Sequence, residues 1–132
     1  MDYYDVLIGN DLNIYPSYYE PWGYTPLESA AFHIPTITTD LAGFGLWVNS
    51  ELGRDGKLLD GVEVIKRTDS NYFEAAEVIT KTICIFASLS EKEVDDCRKK
   101  AAKLAEKALW KHFIKNYFAA YDIALTAARK RD

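Results

Sequence analysis

A chain of 132 residues, 48% hydrophobic and 27% charged, has the length and balance of one ordinary globular domain. At that size about two thirds of the unfolded surface goes inside on folding, enough for a real core. No run of about 18 apolar residues is present, so no membrane span is expected, and the acidic start MDYYDVLIGN lacks the basic region of a signal peptide. The net charge of −4 is uneven: residues 1–60 carry nine acids against Arg54 and Lys57, while the bases of the second half are interleaved with acids, unlike a nucleic-acid footprint. Cys84 and Cys97 lack metal-ligand spacing and only two histidines are available, so no metal site is expected. Idle thiols in a reducing, cytoplasmic setting are the expectation.

In chain order, DYYDVLIGN reads as a short helix stopped at Gly9–Asn10. LNIYP is a brief buried strand halted by Pro16. A loop leads to a helix from about Pro26 to Phe32, and the β-branched PTITT is a second strand. GLWVNSEL is helical, RDGKLLDG is a polar turn-rich connection, and VEVIK is a third strand by a weak alternation. From Asn71 the period becomes helical, through Tyr72, Phe73, Ala76, Ile79, Ile83 and Phe86. SEKEVDDCRKKAAKLAEKAL opens on Ser90 with Glu93 three residues on, a capping box. A last helix covers WKHFIKNYFAAYDIALTAA. Its stripe Trp110, Phe113, Tyr117, Tyr121, Leu125 reads first as core packing of an amphipathic helix, with an interaction face as the alternative. Strand–helix alternation followed by helices indicates an α/β fold with a short parallel sheet and C-terminal helices.

The densest stretch is YPSYYEPWGYTPLESAAFHIPTITTDLAGFG, residues 15–45. Thr25 reads as an N-cap, Pro26 as the first helical residue and Glu28 as the third position of a capping box. A strand, a loop and a helix start place free N–H groups at the carboxyl edge of a parallel sheet, which suits an anion. Glu28 can be only a capping residue or a ligand group. Glu20, held extended before Pro21, is odd company for an anion unless it serves another part of the same ligand. A nucleotide-sugar, with a pyrophosphate between two hydroxyl-rich rings, meets both carboxylates.

YPSYYEPWGYTPLE followed by IPTITTDLAGFG resembles the signature of glycogen synthases of the animal and fungal kind, found also in some bacteria. A looser likeness continues through LWKHFIKNYFAAYDIAL, and a bacterial member is expected. The resemblance implies a retaining GT-B glucosyltransferase that moves glucose from UDP-glucose to an α-1,4-glucan such as glycogen, without metal or cofactor. It implies that Glu20 is the catalytic carboxylate beside the donor glucose. Trp22 and Gly23 would hold sugar hydroxyls through their N–H groups, Tyr24 and Thr25 the pyrophosphate, Glu28 the ribose and Tyr3 the uracil.

It also implies a partial Rossmann-like C-terminal domain. Residues 1–68 would form the nucleotide-sugar part and 69–132 a helical segment of the same domain. An N-terminal Rossmann domain would be the partner and homo-oligomers are possible; no nucleic acid or membrane is involved. An isolated half of this kind is expected to be inactive and to leave apolar surface bare around Trp22, Phe44 and the last helix. Three departures stand out. Asp40 and Ala42 replace a usual Asn and Ser, and His33 stands where glycine is usual, which predicts a strained helix end. The stretch SEKEVDDCRKKAAK holds one arginine, so the glucose 6-phosphate sensing of the eukaryotic members is expected to be absent. Rival readings are a nucleotide-sugar or carbohydrate binding module without turnover, and a helical interaction module.

Overall fold

A computed structural model describes residues 2–130. The elements follow as α1 (Tyr3–Leu7), β1 (Asn13–Ile14), α2 (Tyr24–Ala31), β2 (Thr36–Thr39), α3 (Gly43–Leu52), a 3-10 turn (Leu58–Asp60), β3 (Val62–Ile65), α4 (Tyr72–Ser88), α5 (Glu91–Lys107) and α6 (Trp110–Arg129). The three strands are parallel in the order β1–β2–β3, with Asn13 opposite Thr36 and Thr36 opposite Val62. The α/β reading and its short parallel sheet therefore hold.

Two apolar clusters cover the sheet's two faces. On one side Ala30, Phe44, Val48, Val62 and Val64 meet Ala101, Leu104 and Ala105, so α5 belongs to the core that α2 and α3 build. On the other, Ile37 and Ile65 lie under Ala75 and Ile79 of α4. All four residues of β3 are buried, because helices cover both faces. The weak alternation that suggested the strand is thus the signature of a two-sided strand, and Glu63 is accommodated by accepting from the Leu58 N–H at 2.6 Å.

A buried polar chain fixes α2 on the sheet. Asn13 Nδ2 donates to Ser29 Oγ at 2.9 Å, and the Thr36 hydroxyl lies 2.9 Å from the same oxygen. Ser29 and Thr36 are both wholly buried. Their hydroxyls stand in for the apolar contact that a Val or Ile would give, and they link β1, α2 and β2 in one network.

Helix α2 begins two residues earlier than the sequence suggests. Its N-cap is Gly23, at φ 101°, so Thr25 is the second helical residue and Glu28 lies beyond the first turn. The Thr25–Glu28 capping box does not form; the predicted box at Ser90 and Glu93 does. At its other end α2 closes in a Schellman motif, with His33 N–H on the Ala30 carbonyl and Ile34 N–H on the Ser29 carbonyl, both at 3.0 Å. His33 takes φ 63° there, the strain its position predicted.

Two expectations about exposed surface are corrected. Phe44 is fully buried, because α3 tucks it under β3 and α5. The stripe on α6 is not core: Trp110, Tyr117, Tyr121 and Leu125 are exposed, and only Phe113 of that stripe packs, against Trp22 and Trp47. Helix α6 buries no residue fully.

Two stability predictions follow from the α2 contacts. Ser29→Ala removes the acceptor of Asn13 and the partner of Thr36 in a buried setting, and should cost about 1–3 kcal/mol in denaturant unfolding. His33→Gly relieves an αL cost of about 1–2 kcal/mol against a glycine entropy penalty of about 0.5–1 kcal/mol. Its melting temperature should rise, and a fall would show that His33 makes a contact worth more than its strain.

Candidate functional site

The site is built by one tight segment, Glu20-Pro21-Trp22-Gly23, wedged between β2 and two helix starts. Glu20 forms an isolated parallel bridge with Ala42, its N–H donating to the Leu41 carbonyl at 3.2 Å. Its own carbonyl accepts from Gly43 N–H at 3.1 Å, and the Trp22 carbonyl accepts from Phe44 N–H. These are first-turn donors of α3. With Ala42 at its N-cap, α3 has no side-chain cap, and the loop backbone takes that part. The approach is so close that a Cβ at Gly43 would overlap the Pro21 carbonyl oxygen.

The start of α2 is different. Pro26 has no N–H and the Leu27 N–H bonds back to the Gly23 carbonyl. Among the described residues no acceptor faces the N–H groups of Trp22, Gly23, Tyr24 or Thr25. Four successive donors therefore stand unpaired at the carboxyl edge of the sheet, where the chain turns through the positive φ of Gly23 into α2, at the positive end of the helix dipole. A Cβ at Gly23 would lie 3.1 Å from Pro26 Cγ and 3.4 Å from Glu20 Cγ, so the Glu20 side chain runs beside this turn.

Glu28 follows Tyr24 by four residues, on the same face of α2. It is half-buried and free of any capping duty. Tyr3 reaches the same neighbourhood from α1, whose Tyr4 packs its ring 5.4 Å from that of Phe32. The Tyr3 phenol is pushed up to about 12, first by loss of water around its hydroxyl, then by Tyr15 and the Glu28 carboxylate nearby. The structure thus gathers Glu20, Trp22, Gly23, Tyr24 and Thr25 in one turn, and Tyr3 with Glu28 beside it. Tyr15, absent from the sequence-based set, joins Tyr3 and Glu28; its place one residue beyond β1, at a carboxyl strand end, was the available signal.

An open cleft of about 440 Å³ adjoins the turn, between Trp22, Tyr24 and Leu27 on one side and Trp110, Phe113 and Tyr117 of α6 on the other. Asp40, where Asn was usual, uses its carboxylate to accept from the Arg67 N–H at 2.7 Å, a bond either side chain can make. No cluster of three or more metal-ligating side chains occurs among the described residues. No described helix is long and apolar enough to cross a membrane.

A short parallel sheet with helices on both faces and a helix start at its carboxyl edge places the chain among the Rossmann-like α/β proteins. Residues 1–131 match the family described as glycogen synthase. The chain is 30% identical over 128 residues to Glycogen [starch] synthase of Neurospora crassa and 29% identical to Glycogen [starch] synthase isoform 1 of Saccharomyces cerevisiae. It is 30% identical to the liver Glycogen [starch] synthase of Homo sapiens, and each match covers 97% of this chain and 18% of the relative. The chain belongs to the glycogen synthase family and spans about a fifth of the length of these curated relatives.

The released Glu28 gives a direct test. If Glu28 grips the ribose of a nucleotide, Glu28→Gln in the protein that carries this chain should weaken UDP binding by about tenfold, which is about 1.4 kcal/mol, while the melting temperature stays within about 1 °C. Calorimetric titration with UDP checks this, and unchanged affinity would take Glu28 out of the site.

Proposed function

We propose that this chain carries the donor-nucleotide half of a retaining glucosyltransferase that moves glucose from UDP-glucose to the end of an α-1,4-glucan. The observation that carries the reading is the run of four N–H groups from Trp22 to Thr25 that meet no acceptor among the described residues, with Glu20 before it and Glu28 after it. Backbone donors in that array suit a diphosphate, and the family supplies the substrate class. In this reading Tyr24 and Thr25 hold the pyrophosphate and Trp22 and Gly23 hold sugar hydroxyls. Glu28 holds the ribose, and Tyr3 stacks on the uracil.

When the glycosidic bond to the nucleotide breaks, negative charge grows on the departing diphosphate and positive charge on the sugar ring. The α2 start stabilises the first without reorganising, because its donors are fixed before the reaction. Glu20 stands on the sugar side, orients the ring and favours its growing positive charge. No metal is needed for the diphosphate in this scheme, since the N–H array and the dipole supply the positive potential.

The exposed aromatic face of α6 and the open cleft beside Tyr24 suit a second folded body of the same protein, a GT-B N-terminal domain that brings the acceptor and excludes water. By themselves the 132 residues should bind UDP only at millimolar or weaker affinity and transfer no glucose.

Glu20→Ala, made in the protein that carries this chain, should lower kcat by a hundredfold or more, about 2.7 kcal/mol, with KM for UDP-glucose changed less than threefold. Such a split marks an interaction made mainly in the transition state. A kcat within threefold of wild type would remove Glu20 from the reaction.

A further inference from the structure

Arg67 follows β3 at the same carboxyl edge as the donor turn, on the far side of the segment that leads to Glu20. Its guanidinium carbon lies 5.6 Å from the centre of the Tyr18 ring and 5.5 Å from that of Tyr72. Its Nε is buried and meets no acceptor among the described residues. Two ring faces therefore lie against the half-buried cation. The Tyr18 hydroxyl donates to Asp69, and the Arg67 main chain is pinned by Asp40.

These contacts matter because of how segment 15–20 is held. On the β2 side its backbone is anchored three times: Tyr15 N–H on the Ile37 carbonyl at 2.8 Å, the Thr39 hydroxyl on the Ser17 carbonyl at 2.7 Å, and Glu20 N–H on the Leu41 carbonyl at 3.2 Å. On the β3 side Tyr18 reaches across alone among the segment's described side-chain contacts, and it lands on Arg67 and Asp69.

We propose that Arg67 is a positioning residue for Glu20: clamped between Tyr18 and Tyr72, it fixes the outer side of segment 15–20 and so sets where the Glu20 carboxylate stands. The planar guanidinium is what the slot requires, since it can stack on two rings at once while a lysine ammonium cannot. The inference rests on the reading of Glu20 as the carboxylate beside the transferred sugar.

The test is steady-state glucose transfer from UDP-glucose to glycogen by the protein that carries this chain. Arg67→Met should lower kcat at least tenfold with KM for UDP-glucose within twofold, and Arg67→Lys should recover little of it. Tyr72→Leu should behave like Arg67→Met, whereas Tyr72→Phe, which keeps the ring face, should recover most of the rate. That pair keeps the test sound should Arg67→Met fail to fold, because Tyr72 is a largely exposed side chain. In a Glu20→Gln background, Arg67→Met should cost less than twofold, since the residue through which it acts is gone. A kcat loss of the same size in both backgrounds would overturn the proposal. So would a raised KM with kcat retained, which is the mark of a direct donor contact. A Glu20→Gln kcat within threefold of wild type would instead overturn the underlying site reading, and the inference with it.

Discussion

The carbonyls of Glu20 and Trp22 accept the first-turn N–H groups of α3, and the rest of the site depends on that backbone cap. Because the loop caps α3 at Gly43 and Phe44, those two donors are spent and the loop is fixed. The same loop then leaves the N–H groups of Trp22 through Thr25 without partners, because it reaches α2 through Gly23 in a left-handed turn. The two foremost donors of α3 are taken by the loop, while those at the α2 start are not. The glycines make this possible on both sides: at Gly43 the loop passes too close for a Cβ, and at Gly23 the φ of 101° is strained for any other residue.

Around this backbone contact lies a shell of rings. Trp22 meets Phe44, Trp47 and Phe113 at centroid distances of 5.9–6.3 Å. Edge-on and tilted pairs of this kind hold geometry as well as burying area. They tie the loop to α3 and to the first turn of α6, so the donor turn is rigid on its inner side. Its outer side is held by polar and cation–ring contacts that water can reach.

Much of the fold was legible from the chain. The order of strands and helices, the parallel sheet and the Ser90–Glu93 cap follow from local pattern, and the strained end at His33 from the resemblance, in which a glycine is usual there. The start of α2 did not. Thr25, Pro26 and Glu28 have the spacing of a capping box, and only the tertiary wedge against Phe44 and Gly43 moves the cap back to Gly23. The same shift frees Glu28, which from sequence could be either cap or ligand. The packing of Arg67 against Tyr18 and Tyr72 was not legible, because the two rings come to it from 49 residues before it and five after it. The stripe on α6 was legible as a pattern but not as a surface, since an amphipathic period is the same for a core and for a face turned to another body.

In the proposed function the α2 start, and not the α3 start, is the anion seat. Amide chemical shifts of the isotopically labelled chain during titration with UDP test it most directly. The account predicts that the largest saturable shifts fall on Trp22, Gly23, Tyr24 and Thr25, while Gly43 and Phe44, already bonded to the loop, move little. Shifts centred on the lysines of α5, or larger at Gly43 and Phe44 than at Tyr24 and Thr25, would contradict it.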